Sequence, residues 1–273
     1  MPELPEVEIT RLLVGTVTSG AEIESLLAPG INAVKTFDPP LHVLTGATIE
    51  GIRRRGKLFL IDLQGTAHDA PGPAGPGADY TLVVHLMSAG RLQLFDKRAS
   101  LRDKTSRVLL RREEVETEET LAALGPEAWP DTPEPEALRA LLDQPRPLYT
   151  VLRDQHVIAG IGRSWVDEIL HTAKLSPFKR GNDLSPDDAV VLRDAIRDRL
   201  GGAIAHYEEK LALPLPDKLP LPLTVHRHNG EPCPRCGTTI EAIFFEDYVM
   251  CYCPVCQTDG KVLKDRRLSR LLK

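Results

Sequence analysis

Four cysteines near the C-terminus constrain this chain more than any other feature. Cys233-Pro-Arg-Cys236 and Cys253-Pro-Val-Cys256 form two C-x-x-C knuckles. The spacing fits the zinc pattern in which each knuckle supplies two thiolates from one tight turn. Four thiolates complete a tetrahedron and leave no open position, so a single structural zinc is expected on Cys233, Cys236, Cys253 and Cys256. Two disulfides or four unrelated cysteines are the alternatives. No signal peptide is recognisable, which argues for a reducing, cytoplasmic setting where disulfides are uncommon. Cys251, the fifth cysteine, is expected to be a packing residue.

The opposite end carries chemistry. The chain opens Met1-Pro-Glu-Leu-Pro-Glu-Val-Glu8. Removal of the initiator methionine would expose Pro2 as a secondary amine beside Glu3. An α-amino group titrates near ~8, well below a lysine at ~10.4, so a useful fraction is neutral and nucleophilic at physiological pH. Such an amine can attack an electrophilic sugar carbon and form a Schiff base, and a neighbouring carboxyl can move the protons.

These two ends, with a third segment between them, resemble the formamidopyrimidine-DNA glycosylase/endonuclease VIII family. The third segment is Leu152-Arg-Asp-Gln-His-Val-Ile-Ala-Gly-Ile-Gly162, followed by Asp167-Glu-Ile-Leu170 and Leu175-Ser-Pro-Phe178. It is similar to the family's helix–two-turns–helix element. Leu4 favours the formamidopyrimidine-glycosylase type, since endonuclease VIII proteins usually have glycine there. The resemblance spans nearly the whole chain. It implies an α+β protein with three parts. Residues 1–128 would form an N-terminal catalytic β-sandwich with an N-terminal helix. Residues 129–225 would form a helical DNA-binding domain, and residues 226–273 a zinc-finger hairpin.

The resemblance also assigns roles. Pro2 would be the nucleophile, Glu3 the proton carrier and Glu6 an acid that holds the site together. Lys57, between two strand-like segments, would reach the lesion or its flanking phosphate. Gly160 and Gly162 would bring backbone amides close to a phosphate, since glycine has no side chain to block approach. Met87, displaced by one position from the commoner arrangement, would fill the gap left by an extruded base; a core methionine is the alternative.

Three departures qualify the match. Where the family has a phosphate-binding asparagine after the second glycine, this chain has Arg163. Where the family's zinc hairpin has a phosphate-contacting arginine, five residues before the third cysteine, it has Tyr248. The loop expected after Arg107-Val-Leu-Leu110, which inserts side chains into the duplex, is not recognisable. The expected function is base-excision repair: removal of oxidised bases through a Schiff base on Pro2, then strand cleavage by β,δ-elimination. A damage- or abasic-site-binding protein of the same fold with little glycosylase activity is the alternative. The departures favour lesions in locally unpaired DNA over fully paired ones, because extrusion is least costly where pairing is already lost.

Charge gives mixed support. The net charge is −5 over 273 residues, whereas DNA binders are more often basic. Distribution matters more than the sum. Acids gather at residues 113–119, and bases gather at Arg53, Arg54, Arg55 and Lys57 and again from Lys261 to Lys273. No apolar run approaches the ~20 residues of a membrane helix, so a monomer acting on damaged DNA, away from membranes, is expected.

The pattern along the chain predicts a helix from Pro5 to about Gly15 and strands at Thr48–Ile52, Leu58–Leu63, Tyr80–His85 and Arg91–Phe95. A proline-rich linker at Pro126–Pro135 precedes helices at Pro135–Leu142, Tyr149–Arg153, Gly162–Lys174 and Pro186–Leu211. Ser185 is the expected N-cap of the last. Leu213–Leu223, with four prolines, cannot be helical.

Overall fold

The computed structural model describes residues 2–26, 40–65, 79–87, 90, 92, 94, 106–111, 119–216, 218–245 and 248–263. The chain divides into two compact units. One comprises Met1–Leu124 with Ile204–Leu219, the other Gly125–Ala203 with Pro220–Lys273.

In the first unit, helix α1 (Leu4–Thr18) precedes strands β1 (Thr48–Arg55), β2 (Leu58–Gln64), β3 (Tyr80–His85) and β4 (Ser106–Arg111), and the short helix α2 (Glu119–Ala122). The strands form one antiparallel sheet in the order β1-β2-β3-β4. Successive side chains on a strand point to opposite faces, and here both faces are covered. Phe59 and Leu63 of β2 join Tyr80, Leu82 and Val84 of β3 on the face that packs with Val7 and Val14 of α1. Leu58, Leu60 and Val83 face the other way, against Leu121. The register agrees: Phe59 pairs with Val84, Leu60 with Val83 and Leu63 with Tyr80. Burial on both faces explains why Leu58-Phe-Leu-Ile-Asp-Leu63 is almost continuously apolar instead of alternating.

Of the expected strand at Arg91–Phe95, only Leu92 and Leu94 are described. They lie outside any strand and pack against the core on the α1 face. The acidic stretch beyond Arg111, where the inserting loop was sought, is outside the described residues from 112 to 118, as are Lys264 to Lys273.

Each arginine of the expected basic patch at Arg53–Arg55 has a partner within the first unit. Arg53 pairs with Asp62 at 2.6 Å, Arg54 with Glu8 at 2.8 Å, and Arg55 donates to the Leu124 carbonyl at 3.0 Å. In an antiparallel sheet these cross-strand and helix–strand partners lie within reach of a long side chain. The run therefore braces α1 and the sheet.

The second unit holds α3 (Pro135–Leu142), α4 (Leu148–Val151), α5 (Arg163–Thr172), most of α6 (Pro186–Lys210), strands β5 (Glu241–Phe244) and β6 (Val249–Tyr252), and the short helix α7 (Pro254–Gln257). The division between the units falls within α6, after Ala203. Ser185 starts α6 as expected. Its hydroxyl accepts from the Asp188 amide at 3.1 Å while Asp188 Oδ2 accepts from the Ser185 amide at 2.9 Å, a reciprocal N-terminal cap.

Two turns link α4 to α5. The Val157 and Ile158 amides both donate to the Asp154 carbonyl. Gln155 locks the loop: its Nε2 donates to the carbonyls of Arg153 and Ile161, and its Oε1 accepts from the Gly160 amide at 2.9 Å. Strands β5 and β6 pair as an antiparallel hairpin from Glu241–Tyr252 to Phe244–Val249.

Candidate active site and zinc centre

The candidate residues divide between the two units. In the first unit the group is built on the N-terminus of α1. Glu3 is the N-cap, and Glu6 lies three residues into the helix. Each side chain caps the other's backbone amide, with Glu3 N to Glu6 Oε2 at 2.9 Å. Both are buried. Carboxylates are favoured here because the first helical amides lack intrahelical partners and the helix dipole is positive at this end. Pro2 lies half-buried directly before the helix.

Glu6 has a second partner that the sequence did not reveal. Its Oε1 accepts from the Tyr207 hydroxyl at 3.0 Å. Tyr207 comes from the last turns of α6, which belong to this same unit. It is completely buried. Burial, then the charge and hydrogen bond of Glu6 and the charge of Glu3, push its phenol well above the usual range. Tyr207 is therefore a fixed donor that never ionises in the working pH range. Leu200, Ile204 and Tyr207 form a helical apolar stripe, so the pattern marked Tyr207 as core and gave no sign of its hydroxyl's target.

Lys57 follows Gly56 in the two-residue turn between β1 and β2, where Gly56 has φ +57°. A residue with a side chain would be strained there. Lys57 is buried, not solvated. His85, at the end of β3, sits close enough to feel it. Burial and the Lys57 charge both hold the imidazole below its usual range. Met87 is 50% exposed and has φ +52°. It is outside the core, which removes the core-methionine alternative.

In the second unit the four zinc-type cysteines converge. The thiol sulfurs of Cys233, Cys236, Cys253 and Cys256 all lie within 4.8 Å of one another. Tetrahedral zinc with Zn–S bonds of ~2.3 Å places sulfurs about 3.8 Å apart. The Cys233–Cys256 and Cys236–Cys253 separations are 3.9 and 3.5 Å. The donor set and spacing fit one structural zinc. Cys251 is excluded from it: its sulfur accepts from the Arg227 amide at 3.3 Å, and burial and Asp167 push its thiol up to about 11.

Helix α5 is the axis on which this finger is mounted. At its C-terminus Arg235, inside the first knuckle, donates to the carbonyls of His171 and Thr172, in the last turn, where carbonyls lack the regular i+4 partner. His171 Nε2 lies 3.2 Å from Cys233 Sγ. In the middle, the buried Glu168 carboxylate accepts from the amides of Thr224, Val225 and His226 at 2.8–3.0 Å, from the Thr224 hydroxyl, and from Arg199 at 2.7 Å. Asp167 Oδ2 binds His226 Nδ1 at 2.7 Å and the Cys251 amide at 3.0 Å. The Asp167–Leu170 segment was legible as a motif, but its role as a clamp was not.

The remaining candidates cluster at the other end of α5. Gly162 is its N-cap. Gly160 has φ +110°, a conformation that favours glycine, and its amide is already taken by Gln155. Arg163 opens the helix with its guanidinium 5.0 Å from the centre of the Tyr248 ring. The two residues singled out as departures are in contact.

An N-terminal helix with a buried acid pair, a helix–two-turns–helix element and a four-cysteine finger together define a class of DNA-repair glycosylase. Comparison with known proteins agrees. Models of the formamidopyrimidine-DNA glycosylase N-terminal domain, the formamidopyrimidine-DNA glycosylase H2TH domain and the zinc finger found in FPG and IleRS match residues 1–123, 124–212 and 230–258. The formamidopyrimidine-DNA glycosylase of Xanthomonas oryzae pv. oryzae is 30% identical over 276 residues, covering 94% of this chain and all of that one. An uncharacterized formamidopyrimidine-DNA glycosylase-like protein of Mycobacterium tuberculosis is 42% identical over 151 residues, 55% of this chain and 95% of that one. The Lactococcus lactis Fpg (MutM) structure with N7-benzyl-Fapy-dG DNA superposes with a TM-score of 0.79 at 28% identity, covering 94% of this chain and 100% of that one. The chain belongs to the formamidopyrimidine-DNA glycosylase family.

Proposed function

We propose that this protein is a bifunctional enzyme that excises oxidised bases of the formamidopyrimidine and 8-oxoguanine type and then cleaves the strand at the abasic site. The observation that carries this reading is the acid pair at the start of α1, with Glu3 and Glu6 mutually capped beside Pro2 and Glu6 fixed by Tyr207. Once Met1 is removed, the Pro2 amine attacks C1′ of the extruded deoxyribose and the base leaves. Glu3 carries protons at the sugar. The resulting iminium acidifies the 2′ proton, and β- then δ-elimination breaks the strand. Glu6 and Tyr207 hold Glu3 and the helix end in place, and Lys57 contacts the lesion or its phosphate. Gly162 and Arg163 grip the backbone, and Met87 fills the gap. Zinc would hold the finger hairpin and take no part in the bond changes.

Borohydride trapping on abasic DNA tests the covalent step. Mature protein should give a protein–DNA adduct, weakened by Pro2→Gly and abolished when Met1 is retained. Equal trapping by a Met1-retaining form would sink the assignment. Release of oxidised bases from a lesion panel then separates a glycosylase from an abasic-site binder.

A further inference from the structure

Helix α5 meets the finger along one face. His171 lies four residues after Asp167 and three after Glu168, the two spacings that put side chains on the same side of a helix. Asp167 and Glu168 bind the segment from Thr224 to His226, ahead of the first knuckle. His171 reaches further. Its ring is buried, and Nε2 lies 3.2 Å from the sulfur of Cys233. The same residue is held at its backbone, where its carbonyl accepts from Arg235 at 2.8 Å. His171 is thus tied twice to the first knuckle and in opposite senses. Arg235 donates to the helix, and the helix presents a ring nitrogen to the sulfur of Cys233.

Four thiolates outweigh the charge of one zinc ion, so the filled site is a net anion. At Cys236, which is exposed, water can meet that charge. Cys233 is only 3% exposed, and a buried charge needs donors from the protein. Cys253 is served within its own knuckle, by the Cys256 amide at 3.5 Å. Cys233 faces a side chain from a different element. A zinc-bound cysteine is a thiolate, so its sulfur can only accept, and the proton between the two groups belongs to Nε2 of His171. The other tautomer would set a nitrogen lone pair against an anionic sulfur.

We propose that His171 is a positioning residue for the zinc site: its Nε2–H donates to the Cys233 thiolate, disperses the charge on that sulfur and keeps it on the metal. The ring is not itself a ligand. It acts through Cys233, as donors behind metal ligands commonly do. Because His171 belongs to α5, the bond also makes zinc retention depend on the helix–two-turns–helix element, and not on the finger alone.

The test uses the full-length protein loaded with zinc, and with cobalt(II) as a spectroscopic probe. The sulfur-to-cobalt charge-transfer band reports the electron density on sulfur. His171→Phe keeps a ring of similar size and removes the donor. It should lower zinc affinity about ten- to a hundredfold, measured by chelator competition, and move the cobalt band to lower energy. His171→Gln offers an N–H at similar reach and should recover part of both. Binding to a duplex carrying a tetrahydrofuran abasic analogue, which cannot form a Schiff base, should be lost at a lower chelator concentration in His171→Phe than in wild type. Thermal melts show whether each variant folds. Should neither fold, wild-type protein loaded with cadmium-113 decides: the Nε2–H proton should exchange slowly with solvent and show coupling to the metal through the sulfur. A folded His171→Phe with an unmoved cobalt band would overturn the proposal whatever its zinc affinity, since packing alone does not change the charge on sulfur. Unchanged zinc affinity in that variant, or a wild-type ring protonated on Nδ1 alone, would overturn it equally.

Discussion

The Tyr207 hydroxyl donates a 3.0 Å hydrogen bond to Glu6 Oε1, joining residues 201 positions apart at the N-terminus of α1. Glu6 in turn accepts from the Glu3 amide through its other oxygen. A chain of two hydrogen bonds therefore links the end of α6 to the residue beside Pro2. Because the phenol is held well above its ordinary range, Tyr207 keeps its proton and remains a donor at working pH.

Tyr207→Phe should leave the packing and remove the donor. Losing a hydrogen bond to a charged group costs about 1.5–3 kcal/mol, and part of that loss should appear in the chemistry. Borohydride trapping should slow by roughly tenfold, with affinity for a tetrahydrofuran duplex unchanged, since the loss is confined to the carboxylate pair. Single-turnover trapping from pH 6 to 9 measures it. Wild-type rates across that range would show that Tyr207 serves packing alone.

Glu3→Gln separates proton transfer from binding. The amide keeps the size of the side chain and can still accept the helix-capping bond, but it cannot carry a proton. Base excision should fall by at least ~100-fold, the low end for acid–base catalysis. Excision within a few-fold of wild type, measured in single turnovers, would remove Glu3 from the proton path.

The parts of this site that the sequence disclosed are those that depend on local spacing. The two cysteine knuckles, the Ser185 cap, the Glu3/Glu6 interval and the strands from Thr48 to His85 all follow from residues a few positions apart. What stayed hidden depends on long-range pairing. Tyr207 reads as core until its hydroxyl is placed. Arg53 and Arg54 read as a basic patch until Asp62 and Glu8 are found opposite them. Arg163 and Tyr248 read as two separate losses until the hairpin turn brings the ring beneath the guanidinium. No periodicity or motif encodes such contacts.

Glu8 makes the first unit's stability pH-dependent in a defined direction. Burial raises its pKa, but hydrogen bonds and charges from Arg11 and Arg54 outweigh burial and leave it below the usual carboxylate value. A lowered pKa contributes stability that is present above the unfolded value of about 4.5 and is lost as pH falls through the folded one. Glu8→Gln, which removes the charge that faces the buried Arg54 side chain, should cost ~3 kcal/mol at pH 7. The gap between wild type and variant should close as the pH drops below 4.5. Denaturant titrations of both proteins at pH 7 and pH 3.5 give the two differences. A gap that persisted in acid would show that the carboxylate charge is not what holds Arg54.

Zinc should control DNA binding through α5. Cys233→Ser should lower the metal content below one zinc per chain and loosen the finger, since metal binding and folding are coupled in such modules. Glu168→Gln supplies a contrast at the same helix. It leaves all four ligands in place but disrupts a buried carboxylate that accepts from Thr224, Val225, His226 and Arg199. Breaking such a pair typically costs 3–5 kcal/mol: the amide oxygen can still accept from the three backbone amides, but Arg199 loses its charged partner and faces an NH2 group in place of Oε2. Both variants should therefore weaken binding to a tetrahydrofuran duplex, Cys233→Ser with loss of zinc and Glu168→Gln with zinc retained. Metal analysis alongside salt-titrated binding distinguishes them. Full affinity in a folded, zinc-free Cys233→Ser protein would mean that the finger does not position the residues that hold DNA.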